Sequence, residues 1–288
     1  MTTNNKPRWV FFGSSHFSVI VLDELKSLGL LPDLVITTED AARGRGLEVK
    51  PGEVKEWAVK RNLQVLTPAS LKNEEIVTVL KSLGPWDVFL VASYGKIIPC
   101  SVFEIPRAKT LNIHPSLLPK FRGPTPIESA ILFENEMGVT IMEIDEQVDH
   151  GNIVIKKIVP VPHWPAYYKD LEEILAIEGA RLFSKILPEW LEGKISATKQ
   201  DHDSATFTKK FAKPDLLFSL TDPAENTLRK IRAFSENRGA YFITNHQGKE
   251  IRVIATKAKI VDGHLVLERV KPEGKKEMNY DDFKRGLK

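Results

Sequence analysis

The stretch 111–126, LNIHPSLLPKFRGPTP, begins as the end of an apolar strand and runs straight into a basic loop interrupted by prolines. A strand alternates its side chains between two faces, so Asn112 and His114 share one face while Leu111 and Ile113 share the other. Polar groups on a strand that is otherwise apolar need hydrogen-bond partners or a chemical task. Whether this strand end is an interior detail or a site depends on the strands around it.

Upstream, WVFFG (9–13), DLVITT (33–38), QVLTP (64–68) and DVFLVAS (87–93) join TLNIH (110–114) as short, continuous, β-rich runs bounded by Gly, Pro or Ser. Amphipathic stretches at 17–28, 53–60 and 71–83 lie between them and predict helices. Strand and helix in alternation predict a parallel sheet covered on both faces, an α/β doubly wound, Rossmann-like domain. Ligands of such sheets sit beyond the carboxyl ends of the strands, which is where His114 falls. Downstream, the loop opens a helix near 122–126 that runs to 135. GVTIMEI (138–144) and NIVIKKIVPV (152–161) then read as a hairpin around the charged loop 145–151, and 167–191 as one long amphipathic helix. The polar, non-periodic run at 194–208 reads as a linker. Beyond a helix at 222–234, AYFITN, IRVIATKAKIV and HLVLERVKP, with Gly248 and Gly263 in their turns, predict a small OB-like β-barrel. The expected organisation is therefore a catalytic domain at 1–193, a linker at 194–208 and a C-terminal OB-like domain at 209–288.

With 42% hydrophobic and 27% charged residues in 288, the chain has the composition of an ordinary globular protein. The start MTTNNKPR lacks the apolar core of a secretory signal, and no run approaches the length of a membrane span. A cytoplasmic protein without membrane contact is expected. The single cysteine, Cys100, excludes an internal disulfide and a cysteine-based zinc site, and its proline-flanked apolar setting reads as packing. The net charge of +3 is unevenly spread: from Ala205 onward 18 Lys and Arg face 11 Asp and Glu, against 23 and 27 before it. A basic C-terminal module suits a polyanion such as nucleic acid, and a solvated lysine-rich surface is the alternative.

The third partner for Asn112 and His114 is Asp149, in the loop VDHGN. An Asn amide donates to a developing oxyanion, a His exchanges protons near neutral pH, and a carboxylate fixes the imidazole tautomer and stabilises its charged form. Acyl transfer to an amine requires these three functions. A structural histidine at the strand end stays open on these residues alone. GSSHF (13–17) closes the first strand and opens a helix, where its amides suit an anion or simply make a turn. His114, Asp149, His150 and His163 match no zinc-binding spacing, so no metal is expected.

NIHPSLLPKFRG followed by VDHGNI resembles the signature of the 10-formyltetrahydrofolate-dependent formyltransferase family. The resemblance implies catalytic roles for Asn112, His114 and Asp149, and a folate pocket bordered by Ser116, Leu117, Leu118 and Pro119. SYGKIIP (93–99) resembles a strand end of the family, which adds Tyr94 and Gly95 to that pocket. ARGRGLEVKPGEVKEWA resembles an insertion loop of the branch that formylates methionyl initiator tRNA, and FTKKFAKPDLLFSL, LRKIRAF and VKPEGKKEMN resemble landmarks of that branch's linker and barrel. The implied tRNA contacts are Arg43, Arg45 and Lys50 in the loop, then Lys209, Lys210, Arg229, Lys230, Lys275 and Lys276. The chain departs from the branch after IRAF, where it reads SENRGAYF in place of a proline- and tryptophan-containing turn, and its C-terminal domain is short. The implied function is formyl transfer from 10-formyltetrahydrofolate to methionyl initiator tRNA by a monomer. A sugar-nucleotide N-formyltransferase, a formyltetrahydrofolate hydrolase and a catalytically idle RNA-binding relative are the rivals. The ARGRG loop and lysine-rich tail speak against the first and the intact triad against the last.

Overall fold

The computed structural model describes residues 6–43, 48–236, 239–246 and 248–287. In chain order the elements are β1 (Trp9–Phe12), α1 (His16–Ser27), β2 (Leu34–Ile36), β3 (Ala41–Arg43), β4 (Glu48–Lys50), α2 (Glu53–Val59) and β5 (Gln64–Leu66). They continue with α3 (Glu74–Leu83), β6 (Val88–Val91), α4 (Cys100–Phe103), β7 (Thr110–His114), α5 (Pro126–Phe133), β8 (Met137–Glu143), β9 (Ile153–Val159) and α6 (Tyr168–Leu191). After α6 come α7 (Ala224–Ala233), β10 (Tyr241–His246), β11 (Lys249–Val261), β12 (His264–Pro272), β13 (Met278–Asn279) and α8 (Tyr280–Arg285). The chain divides into two compact units, one of residues 1–122, 138–159 and 173–206, the other of 123–137, 160–172 and 207–288.

The first unit is built on a seven-stranded sheet in the order β5-β2-β1-β6-β7-β8-β9. From β5 to β7 every pairing is parallel, as the alternation of strands and helices requires. At β7 the direction changes: β8 pairs with it antiparallel, Asn112 opposite Met142 and His114 opposite Thr140. The sheet is therefore mixed: the expected parallel strands run to β7, and the expected hairpin of β8 and β9 adds itself to that edge. The Glu143 amide donates to the Asn152 carbonyl at 2.8 Å, and a side chain on Gly138 would lie 2.3 Å from the Lys157 carbonyl, so the two strands run in opposite directions from a common turn.

β1 and β6 are buried along their whole length, which explains their unbroken apolar runs. Phe12 and Phe89 pack with ring centres 5.4 Å apart, and Trp86 meets Phe89 edge-on. α6 approaches the sheet at Gly179, where a Cβ would come 2.4 Å from a methyl carbon of Ile113. The back of the strand that carries Asn112 and His114 is thus clamped by close packing. The ARGRG segment forms a small excursion of its own: β3 and β4 pair antiparallel, Ala42 opposite Val49, and residues 44–47, Arg45 among them, lie outside the described residues.

The second unit contains α5, α7 and a four-stranded antiparallel sheet in the sequential order β10-β11-β12-β13. A parallel bridge from Leu217 to Tyr241 lays a further segment beside β10, and β11 is bulged between Ala255 and Ala258, which raises its twist. These are the short strands and twist expected of a small β-domain, in the order of an open meander. α7 carries an apolar stripe of Leu228 and Ile231 that is buried in this unit.

Candidate active site

β7 ends at His114, whose side chain is only 6% exposed. Its Nε2 lies 3.0 Å from the carbonyl oxygen of Phe121. A carbonyl only accepts, so Nε2 carries a hydrogen, and Nδ1 points the other way. There it meets Asp149 Oδ1 at 3.6 Å, a separation too long for a hydrogen bond and short enough for strong charge coupling. Asp149 is 15% exposed and sits at a φ of +50°. That left-handed conformation is one that Asp tolerates better than most side chains. Asn112 lies on the same strand face as His114, about 7 Å along the strand. It is half-buried, between Val91 on β6 and Met142 on β8.

Two chain segments return to hold this centre. Phe121, at a φ of +59°, donates its amide hydrogen to Thr206 Oγ1 at 2.9 Å. Gln200, which is 4% exposed, donates its amide nitrogen to the carbonyls of Asp149 at 3.0 Å and Gly151 at 2.7 Å. Thr206 and Gln200 both belong to the run 194–208, whose polar composition resembles a linker. Thr198 also bridges to Ile153 on β9. Sequence reasoning missed Gln200, and the one signal available was a lone amide in a charged, non-periodic run.

The loop after His114 is tied into the protein by its own polar groups. Ser116 Oγ donates to the Lys120 carbonyl at 2.6 Å, and Thr140 Oγ1 donates to the Ser116 carbonyl and accepts from the Leu118 amide. Ser116 and Leu118 are fully buried, whereas Leu117 and Pro119 keep exposed surface. On the neighbouring strand end, Gly95 donates its amide to Ser14 Oγ at 3.1 Å. Tyr94 stands edge-on to Phe12, its hydroxyl buried with no hydrogen-bond partner among the described residues, and burial pushes that phenol up to about 12. An orphaned buried hydroxyl beside the strand ends is a donor that a heteroatom-rich ligand can satisfy.

The basic residues singled out in the sequence divide into two groups. Lys50, Lys209, Lys210, Lys275 and Lys276 are exposed, Lys209 with an ion-pair partner in Asp215 at 3.6 Å. Arg229 is turned inward. Its guanidinium donates to the Ile131 and Glu134 carbonyls at 3.0 and 2.6 Å, to Asn135 Oδ1 at 2.5 Å and to Glu225 at 3.1 Å. Lys230 donates to the Leu217 carbonyl at 2.8 Å. Arg43 lies on β3. Among the described residues no group of three or more His, Cys, Asp and Glu is placed to hold a metal ion, and no helix is long and apolar enough to cross a membrane.

Fold and site together define a doubly wound α/β protein with an amide and an imidazole near the carboxyl end of one strand and, facing the imidazole, a carboxylate from the loop between β8 and β9. Residues 7–187 match the family described as formyl transferase. The chain is 35% identical over 305 residues, covering 98% of it and 96% of the relative, to the methionyl-tRNA formyltransferase of Roseiflexus castenholzii. The chain belongs to the formyl transferase family. Solved structures share the fold at low identity. A 4-N formyltransferase from Francisella tularensis matches with a TM-score of 0.65 at 19% identity, covering 89% of this chain and all of that one. A methionyl-tRNA formyltransferase from Clostridium thermocellum matches with 0.61 at 15%, covering 92% and 98%.

Proposed function

We propose that the protein transfers the formyl group of 10-formyltetrahydrofolate to the α-amine of methionyl initiator tRNA. The observation that carries this reading is the 35% identity to a methionyl-tRNA formyltransferase, which extends over 98% of the chain and so includes the C-terminal β-unit as well as the strand-end site. The fold is shared just as well by the Francisella 4-N formyltransferase, so fold alone does not choose the acceptor.

Asn112 donates its amide to the formyl oxygen and stabilises the negative charge that develops there as the amine attacks. His114 takes the amine's proton on Nδ1, the nitrogen its bond to Phe121 leaves available. Asp149, 3.6 Å away, then faces an imidazolium and stabilises it. The imidazolium gives that proton to the folate nitrogen as its bond to the formyl carbon breaks, so the new nitrogen–carbon bond forms and tetrahydrofolate leaves with no covalent bond to the enzyme. Leu117, Pro119, Tyr94 and Gly95 border the folate, with Ser116 and Leu118 shaping the loop from within. Arg43, Arg45, Lys50, Lys209, Lys210, Lys275 and Lys276 contact tRNA phosphates, while Arg229 and Lys230 hold the fold that presents them. Chemistry falls to the first compact unit, to which Gln200 and Thr206 of the run 194–208 belong, and tRNA binding largely to 209–288, in a monomer acting in the cytoplasm.

The test is single-turnover transfer from 10-formyltetrahydrofolate, with methionyl initiator tRNA and an amino-sugar nucleotide offered in parallel and His114→Ala as control. Formyl-methionyl-tRNA from the wild type alone is expected. Formylated sugar alone would overturn the acceptor, and no product would overturn the enzyme.

A further inference from the structure

We propose that Gln200, gripped by Arg122, is the positioning residue that sets Asp149 against His114, and that a neutral His202 keeps Arg122 in that grip, so that protonating His202 loosens the site. The inference rests on the catalytic reading of His114 and Asp149 and adds its regulation by pH.

Two halves of the site have to be held in register. His114 is anchored through Nε2 to the Phe121 carbonyl, and the next residue is Arg122. Asp149 is anchored through its carbonyl to the Gln200 amide. Arg122 and Gln200 are themselves joined: the guanidinium donates Nε and Nη2 to Gln200 Oε1 at 3.2 and 2.7 Å. Both side chains are buried, at 3% and 4% exposure. The path from His114 through Phe121, Arg122 and Gln200 to Asp149 is therefore a closed chain of short bonds spanning the 3.6 Å gap. Gln200 spends both amide hydrogens on carbonyls 149 and 151 and its oxygen on Arg122, so no atom of it is left for a substrate. It acts through Asp149.

His202 controls the far end. Arg122 Nη2 lies 2.9 Å from His202 Nδ1. A guanidinium only donates, so that nitrogen must be the acceptor, and the ring holds its one hydrogen on Nε2. A proton added from solvent to Nδ1 removes the acceptor and sets two cations in contact. The surroundings oppose that proton. His202 stacks flat on His150 with ring centres 4.0 Å apart, and His150 Nδ1 is 2.6 Å from Asp145. Partial burial first, then His150, Arg122 and Lys199, hold the His202 imidazole below its ordinary range, with Asp145 pulling the other way. Because the unfolded chain takes up this proton more readily than the folded one, the contribution is complete above the ordinary histidine value near 6.5 and is lost as pH falls below it.

The test uses full-length protein and two readouts, single-turnover formyl transfer from pH 5.5 to 8.5 and hydrogen exchange of peptides spanning 145–151. Gln200→Leu is expected to lower turnover about 10- to 100-fold, the cost of a sub-ångström misplacement, with the KM for tRNA unchanged within about twofold. Exchange in the loop should rise with it. Gln200→Glu keeps the Arg122 contact but has no amide to donate, and is expected to behave the same way, which separates positioning from misfolding. In His202→Asn the amide oxygen replaces Nδ1 as acceptor and cannot titrate, so the variant should match the wild type at pH 8 and exceed it increasingly as pH falls below 6.5 toward 5.5. Wild-type turnover and loop exchange in both Gln200 variants would overturn the positioning role, and an unchanged acid limb in His202→Asn would overturn the switch. Asp149→Asn separates the two levels. Full activity there would remove the catalytic reading, while faster loop exchange in the Gln200 variants would still establish the clamp.

Discussion

The strand end at Asn112 and His114 and the helix α7 with Arg229 both carry polar residues that stand out in the sequence, and folding puts them to opposite uses. Arg229 points inward and uses every face of its guanidinium on carbonyl and carboxylate oxygens of its own unit, mostly at the end of α5. Two of those oxygens, the Ile131 and Glu134 carbonyls, are acceptors of the kind a helix C-terminus leaves unpaired. His114 is held by one nitrogen only, and its other nitrogen faces a carboxylate across 3.6 Å. The difference separates a structural polar residue from a chemical one: the first has its hydrogen-bonding capacity filled, the second keeps one function aimed at a neighbour it does not yet bond.

The largest effect expected from that contrast is on the chemical side. Asn112→Ala should reduce single-turnover transfer about 100- to 1000-fold with the melting temperature nearly unchanged, as loss of an oxyanion donor does elsewhere. Near-normal turnover would remove Asn112 from the scheme. On the structural side, Arg229→Met should cost about 1–3 kcal/mol in chemical denaturation, because the part-buried Ile131 carbonyl loses its guanidinium donor while the Glu134 carbonyl keeps only the Trp164 indole. If it instead weakened tRNA binding at unchanged stability, the contrast between the two residues would fail.

An intermediate case sharpens the comparison. Glu128 on α5 is pushed up to about 7, first by burial and then by the charge of Glu172, against a hydrogen bond from its own backbone. The folded protein holds this proton more tightly than the unfolded chain, so the favourable contribution is full below 4.5 and is lost as pH rises through 7. Glu128→Gln should therefore match the wild type near pH 4.5 and exceed it by about 1–3 kcal/mol at pH 8, measured by urea unfolding at both pH values. Equal differences at the two pH values would show that the carboxyl is solvated. The smallest effect is expected at the surface: Lys275→Ala with Lys276→Ala should leave turnover at saturation intact and make tRNA binding less sensitive to salt, by up to about one released ion for each phosphate that a lysine no longer neutralises. An unchanged salt slope would place both lysines outside the tRNA footprint.

The sequence was most legible where physical demands are local. The strands of the seven-stranded sheet were visible, β1, β2 and β6 most plainly because burial demands continuous apolar residues, and the longer helices because one face repeats every three to four residues, whereas the β3–β4 ribbon and the short α4 were not. The antiparallel addition of β8 to β7 was not visible, since a hairpin carries the same alternation whichever edge it joins. Nor did composition separate a linker from a clamp in the run 194–208. Its polar residues look solvent-directed until Gln200 is seen buried against the loop of Asp149.

By itself, then, the amino-acid sequence determined the α/β alternation, the pairing of Asn112 with His114 on one strand face and the candidacy of Asp149 in its glycine-flanked loop. Each of these follows from neighbours within a few residues. Only the tertiary structure decided which histidine nitrogen is available, which arginine is structural and which glutamine supports the carboxylate. Those outcomes depend on bonds such as Arg122 to Gln200 and Arg229 to Ile131, between residues 78 and 98 positions apart. A hydrogen bond is specified by distance and direction in space, and no periodicity along the chain records either one.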